Sequence, residues 1–208
     1  MTALVLIRHR PTAWNAAGRI QGRTDVPLSA TGRAAVRAWR LPAEIGDPPG
    51  AWDWLTSPLA RARETAEILL PPAARAALRH EPALMEMRWG AWEGYTLAEV
   101  RQAGGEDAAD AEARGLDFCP PGGESPRQVQ ARLAPLLAAL AARRRPAVAV
   151  THKGVIRAVL ACAAGWDMTG RAPAKLNDAC AHRFVLEAAG APRIERLNIP
   201  LRRAGDSS

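Results

Sequence analysis

Ala3-Leu4-Val5-Leu6-Ile7-Arg8-His9 opens the chain with an unbroken apolar run that ends on two polar residues. A run this short and without alternation reads as a strand buried on both faces, whose carboxyl end delivers Arg8 and His9. The pattern returns at Ala147-Val148-Ala149-Val150-Thr151, again ending on a histidine, His152, with an apolar helix over Gly154–Ala163 after it. Strands covered on both faces belong to a parallel sheet with helices on either side, so these two segments decide the fold class, α/β.

Around them the chain alternates strand and helix signals. Ser29 is the N-cap of a helix over Ala30–Leu41, which the Pro and Gly residues at 42–50 end. Trp52–Thr56 is the second strand, and Ser57-Pro58 caps and opens a helix to about Leu70. A short strand near Leu78–Pro82 leads into a loop carrying Glu86. Residues 95–118 are polar and broken by Ala and Gly, and read as short helices of a lid within a lid-like insertion over about 88–120. Pro120-Pro121-Gly122-Gly123 punctuates the chain before the longest helix, Glu124–Arg144, with Val129, Leu133, Leu136, Leu137 and Leu140 at helical spacing. Two late strands, near His182–Leu186 and Arg193–Leu197, flank the turn Ala189-Gly190-Ala191-Pro192, and the tail Arg202–Ser208 is expected to fray. The sum is a three-layer α/β/α sandwich on a mostly parallel open sheet of about six strands, one of them antiparallel, in a single domain over residues 1–208.

The 208 residues, 48% hydrophobic and 24% charged, suffice for one buried core. No stretch approaches the roughly 18 apolar residues of a membrane span, and no leader pattern opens the chain, so a soluble cytoplasmic protein without membrane contact is expected. Cys119, Cys162 and Cys180 lack Cys-x-x-Cys spacing, against both a disulfide framework and a structural zinc site. A net charge of +7 could suit nucleic acid, but the arginines are scattered among acidic residues. The densest run, Arg143-Arg144-Arg145, sits at a helix end where the dipole already favours cations, and an anionic small substrate accounts for a positive pocket as well.

In an open α/β sheet, ligands bind beyond the carboxyl ends of the strands. Of only four histidines, His9 and His152 occupy equivalent strand ends, while His80 and His182 read as satisfied core or surface residues.

The segment Leu6-Ile7-Arg8-His9-Arg10-Pro11-Thr12-Ala13-Trp14-Asn15 resembles the signature of the histidine phosphatase superfamily, in its phosphoglycerate-mutase-like branch. The resemblance continues through Gln21–Ser29 with Gly32, Ser57-Pro58-Leu59-Ala60-Arg61-Ala62 with Thr65-Ala66, and Glu86 with Gly90-Ala91-Trp92-Glu93-Gly94. Pro121-Gly122-Gly123-Glu124-Ser125 and Thr151-His152-Lys153-Gly154-Val155-Ile156-Arg157 complete an ordered set of blocks. The resemblance implies a phosphoglycerate-mutase-like fold and a role for each matching residue. His9 is the nucleophile that becomes phosphorylated, Arg8, Arg61 and His152 hold the phosphoryl oxygens, and Glu86 is general acid and then general base. Asn15, Gln21 and Gly22 belong to the substrate-binding set. Arginine suits this work because its planar fork binds two oxygens and stays charged. Glu93 competes with Glu86 and is read as a structural anchor. Arg63 competes with Arg61 and is read as facing outward, and Arg157 is read as structural. Trp14, Trp52 and Trp54 read as core, with Trp89 and Trp92 near enough to Glu86 to line a pocket.

Two glycines usual in the family are replaced, by Arg10 and Lys153. Bulky residues there bring strain or crowding, or point into the crevice as extra cations. The milder consequence, a surviving pocket shifted toward more anionic substrates, is preferred to the harsher one, a non-catalytic relative that only binds phosphorylated ligands because Arg10 blocks the site. The interval from Tyr95 to Cys119 is short where cofactor-dependent mutases of the family carry a long insertion, so a phosphatase, closest in pattern to the broad-specificity and α-ribazole phosphatases, is preferred to a mutase. No metal and no organic cofactor is expected, and the partner is a small phosphorylated metabolite, not nucleic acid. Its identity and the oligomeric state, a homodimer included, stay open.

Overall fold

The computed structural model describes residues 1–103 and 113–203. Its elements are β1 (Thr2–Arg8), α1 (Ala13–Ala16), α2 (Ala30–Arg37), β2 (Trp39–Arg40), β3 (Asp53–Thr56), α3 (Ala60–Leu69), α4 (Pro72–Ala76) and β4 (Leu78–His80). After these come α5 (Pro126–Arg143), β5 (Ala147–Thr151), α6 (Lys153–Ala164), β6 (Cys180–Leu186), β7 (Pro192–Pro200) and β8 (Arg202–Arg203). Six strands form one sheet in the order β4-β3-β5-β1-β6-β7. The neighbours β4, β3, β5 and β1 are parallel, and β6 is the one strand that runs against the others, antiparallel to both β1 and β7.

Side chains alternate across this sheet, and each face is apolar because each is covered. Leu4 and Leu6 of β1 and Ala147 and Ala149 of β5 pack with Leu133 and Leu140 of α5 and with Ile156 and Val159 of α6. Val5, Ile7, Val148 and Val150 turn the other way, onto Val36 of α2 and Ala62 and Ala66 of α3. This is the three-layer sandwich. Ser29 caps α2 by accepting from the Gly32 N–H at 3.0 Å, and Ser125 caps α5 reciprocally with Gln128.

Three local expectations are corrected. The helix expected to reach Leu41 ends at Arg37, because Trp39 is drawn into the apolar cluster and Trp39–Arg40 pairs antiparallel with Arg202–Arg203. Arg202 and Arg203, assigned to a frayed tail, are therefore held in a two-stranded ladder, and residues 204–208 lie outside the described ones. Ser57 does not cap α3, whose N-cap is Leu59, and its hydroxyl serves His152 instead. Of residues 95–118, expected as short helices, 97–103 are helical and Gly115–Asp117 forms a single 3₁₀ turn, while 104–112 lie outside the described residues.

The arginine run at the end of α5 is tied inward, with Arg143 and Arg145 at 2.9 and 3.2 Å from the Asp53 carboxylate. The three cysteines are unpaired. Among the described residues no helix is long and apolar enough to cross a membrane.

Candidate active site

β1 and β5 lie side by side in parallel register, Arg8 opposite Thr151, so the residues that leave them emerge together. The His9 N–H donates to the Thr151 carbonyl at 2.9 Å, and the rings of His9 and His152 sit 5.1 Å apart. Nδ1 of His9 is 2.8 Å from the Arg10 carbonyl oxygen. A carbonyl only accepts, so Nδ1 carries the proton and Nε2 keeps a free lone pair. Burial first, and the Arg61 charge second, lower the His9 pKa to about 3, so the ring is neutral at neutral pH.

His152 is fully buried, with Nε2 2.8 Å from the Ser57 hydroxyl. The Ser57 hydroxyl, which accepts from the Leu59 N–H at 3.3 Å, has no other acceptor among the described residues, so its hydrogen is assigned to Nε2 and the imidazole proton to Nδ1. Nδ1 has no partner among the described residues. Burial, and then the neighbouring His9 and Arg61, hold this histidine well below its ordinary pKa. An orphaned N–H beside His9 is a donor awaiting a ligand.

Arg61, at the start of α3, is also fully buried. Its guanidinium donates to the carbonyls of Thr24 at 2.9 Å and Gly22 at 2.6 Å, and burial is the main cause of its lowered pKa. Glu93 holds that loop by accepting from the N–H groups of Arg23 and Thr24, the Thr24 hydroxyl and the Trp89 N–H. Burial alone would raise the Glu93 pKa; these bonds, the Thr24 hydroxyl foremost, bring it below the ordinary value. Gly22 has φ +52°, and a Cβ there would lie 2.0 Å from a Glu93 oxygen.

Glu86 is fixed through both oxygens, accepting from the N–H of Met87 at 2.8 Å and of Gly154 at 3.1 Å. Asn15 and Gln21 spend their carbonyl oxygens on Thr12, at 3.1 and 2.8 Å, which leaves their amide nitrogens free for a ligand. Arg8 is paired to Asp178 at 2.5 Å. Arg8, His9, Asn15, Gln21, Gly22, Arg61, Glu86 and Lys153 line one cavity of about 630 Å³, with His152 against the ring of His9. Among the described residues no cluster of His, Cys, Asp and Glu could hold a metal ion.

Residues 4–200 match the family model of the histidine phosphatase superfamily, branch 1. The chain belongs to this superfamily. A glucosyl-3-phosphoglycerate phosphatase of Mycobacterium tuberculosis is 34% identical over 183 residues, which are 80% of this chain and 79% of that protein. The solved structure of a mycobacterial glucosyl-3-phosphoglycerate phosphatase superposes with a TM-score of 0.75 at 29% identity, covering 98% of this chain and 100% of that one. A 2,3-bisphosphoglycerate-dependent phosphoglycerate mutase of Gloeobacter violaceus is 34% identical over 132 residues, 60% of this chain and only 57% of that protein.

Arg10 does not join the pocket of this histidine phosphatase, contrary to expectation. Its guanidinium lies over the Trp39 ring at 4.1 Å, its backbone N–H donates to the Thr65 hydroxyl at 3.2 Å, and its side chain is not among those lining the cavity, although its charge still reaches His9. Neither Arg10 nor Lys153 has a positive φ, so the lost glycines bring no backbone strain. The close approach that demands glycine falls one residue later, at Gly154, where a Cβ would lie 2.3 Å from Glu86 Oε1.

Arg157, read as structural, lines the cavity, as does Trp89, whereas Trp92 packs against Trp89 and Phe118. The signal for Arg157 was its spacing of four from Lys153, which puts both on one face of α6. Arg63 faces outward toward Glu67, as expected. Ser57 beside His152 and Asp178 beside Arg8 went unnoticed in the sequence, because nothing local marks a contact across so many residues.

Proposed function

We propose that this histidine phosphatase hydrolyses a phosphate monoester of a small metabolite through a phosphohistidine at Nε2 of His9. One observation carries the reading: His9, with a free lone pair, lines one cavity with Arg8, Arg61 and Glu86, and the ring of His152, whose Nδ1 has no partner among the described residues, lies 5.1 Å from its own. The phosphoryl oxygens meet Arg8, Arg61 and His152, and the amide nitrogens of Asn15 and Gln21 add neutral donors. Nε2 attacks phosphorus as the bond to the alcohol oxygen breaks, and Glu86, which enters this step as the protonated acid, gives that oxygen its proton. Water enters next, Glu86 takes its proton, and the new P–O bond displaces His9 to release inorganic phosphate. The Arg10 carbonyl holds Nδ1–H throughout and stabilises the positive charge that develops on the ring. Catalysis comes from donors fixed in advance around the equatorial oxygens.

Hydrolysis is favoured over mutase-type transfer by the short interval between Glu86 and Pro121-Gly122-Gly123-Glu124-Ser125 and by the likeness to a phosphatase over 80% of the chain. Against the non-catalytic alternative, which rested on Arg10 and Lys153, speaks the placement of the Arg10 guanidinium over Trp39. The test is release of phosphate from p-nitrophenyl phosphate, with rapid quenching to trap an acid-labile label on His9. His9→Ala should abolish both, and Arg61→Ala should lower turnover by about 10²–10³-fold. An intact enzyme with neither turnover nor label would be a binding relative only.

A further inference from the structure

A second cavity, of about 570 Å³, adjoins the catalytic one and shares Lys153 and Arg157 with it. Its further charged lining residues are Arg171 and Lys175, no acidic residue among the described ones lines it, and Leu160 and Leu176 give it apolar surface. None of these four cations forms an ion pair with a carboxylate among the described residues, whereas Arg63, Arg127 and Arg183 do so elsewhere on the surface. The loop that carries Arg171 and Lys175 is held at both ends. The Trp166 N–H donates to the Ala161 carbonyl at 2.9 Å, and the Asn198 amide donates to the Lys175 carbonyl at 2.8 Å. Arg157 is oriented by lying 5.0 Å over the Trp166 ring. Like charges gathered around one opening repel each other, and an anion placed among them relieves that repulsion. The lowered pKa of the Lys153 ammonium, caused by burial and then by Arg8 and Arg157, reflects the same crowding.

We propose that this cavity is a subsite for a second anionic group of the substrate, so that the enzyme prefers phosphomonoesters bearing a further phosphate or carboxylate to those with a neutral leaving group. The inference rests on the phosphatase reading, with the scissile phosphate at His9, the second anion at Arg171 and Lys175, and Lys153 and Arg157 between them.

The experiment compares kcat/KM for p-nitrophenyl phosphate, glycerol 3-phosphate, 3-phosphoglycerate and fructose 1,6-bisphosphate, in the parent and in the double variant Arg171→Ala with Lys175→Ala. These two side chains line the second cavity only. The parent should favour a doubly anionic ester over glycerol 3-phosphate by about tenfold or more, the size of one charge-assisted hydrogen bond. The double variant should lose that preference through KM and keep its rates on the two other esters within about twofold. The charge-conserving pair Arg171→Lys with Lys175→Arg should retain the preference, and equal melting temperatures exclude misfolding. Whichever of the carboxylate and phosphate esters is favoured identifies the group. A parent with no such preference, or a preference that survives the double variant, overturns the subsite. Failure of the parent on every ester, p-nitrophenyl phosphate included, would instead remove the phosphatase reading beneath it.

Discussion

At His9 the decisive quantity is which ring nitrogen holds the proton. The Arg10 carbonyl answers it, and burial keeps the ring neutral. Ser57 performs the corresponding service for His152, so Ser57→Ala leaves a buried imidazole nitrogen without its partner. We expect a stability loss of about 1–3 kcal/mol and a fall in kcat, read by denaturant unfolding and steady-state rates. Unchanged kcat would mean that the tautomer of His152 does not matter. Gly154→Ala puts a methyl carbon 2.3 Å from Glu86 Oε1 and forces that carboxylate aside. Turnover should drop by about tenfold to 10³-fold, within the range for loss of acid–base help, while single-turnover labelling of His9 by a substrate with a good leaving group persists. Equal loss of labelling would place the damage elsewhere.

Among the elements, the loop over Gly22–Thr24 matters most, because it turns two backbone carbonyls onto Arg61 and so sets where that charge points. Glu93 holds the loop in place through backbone N–H groups on both sides of the cleft. Glu93→Gln replaces an acceptor-only group with one that must turn an NH₂ toward those donors. The expected result is a raised KM for every phosphomonoester, with loss of about 1–3 kcal/mol in stability. A variant with parental KM would show that Arg61 does not depend on this loop. The repeated strand pattern at Ala3–Ile7 and Ala147–Thr151 was legible in the sequence because a short unbroken apolar run needs only its own residues to be recognised. The end of α2 was not, since Trp39 leaves the helix for a cluster and a strand partner at Arg203, distant in the chain.

For the molecule as a whole, the buried neutral histidines couple stability to pH. His9 and His182 have folded pKa values of about 3 and about 4, both lowered chiefly by burial from an ordinary 6.5. Below 6.5 the unfolded chain binds protons that the folded one refuses, so stability is whole above 6.5 and falls as pH drops toward the folded values. The slope is at most roughly 1.4 kcal/mol per pH unit for each histidine. Urea unfolding at pH 7.5 and pH 5 should show this loss, and His182→Gln should make it shallower; a flat profile would contradict neutral burial. The order of motifs and the apolar periods determined the α/β class, the pairing of His9 with His152 at neighbouring strand ends, and the candidates Arg8, Arg61 and Glu86, because each is encoded by residues close in the chain. Only the tertiary structure decided that Arg10 turns onto Trp39, that Ser57 serves His152, and that Arg171 and Lys175 face a cavity beside the catalytic one. Long side chains on loops take their direction from whatever packs against them, and those neighbours arrive from distant parts of the chain.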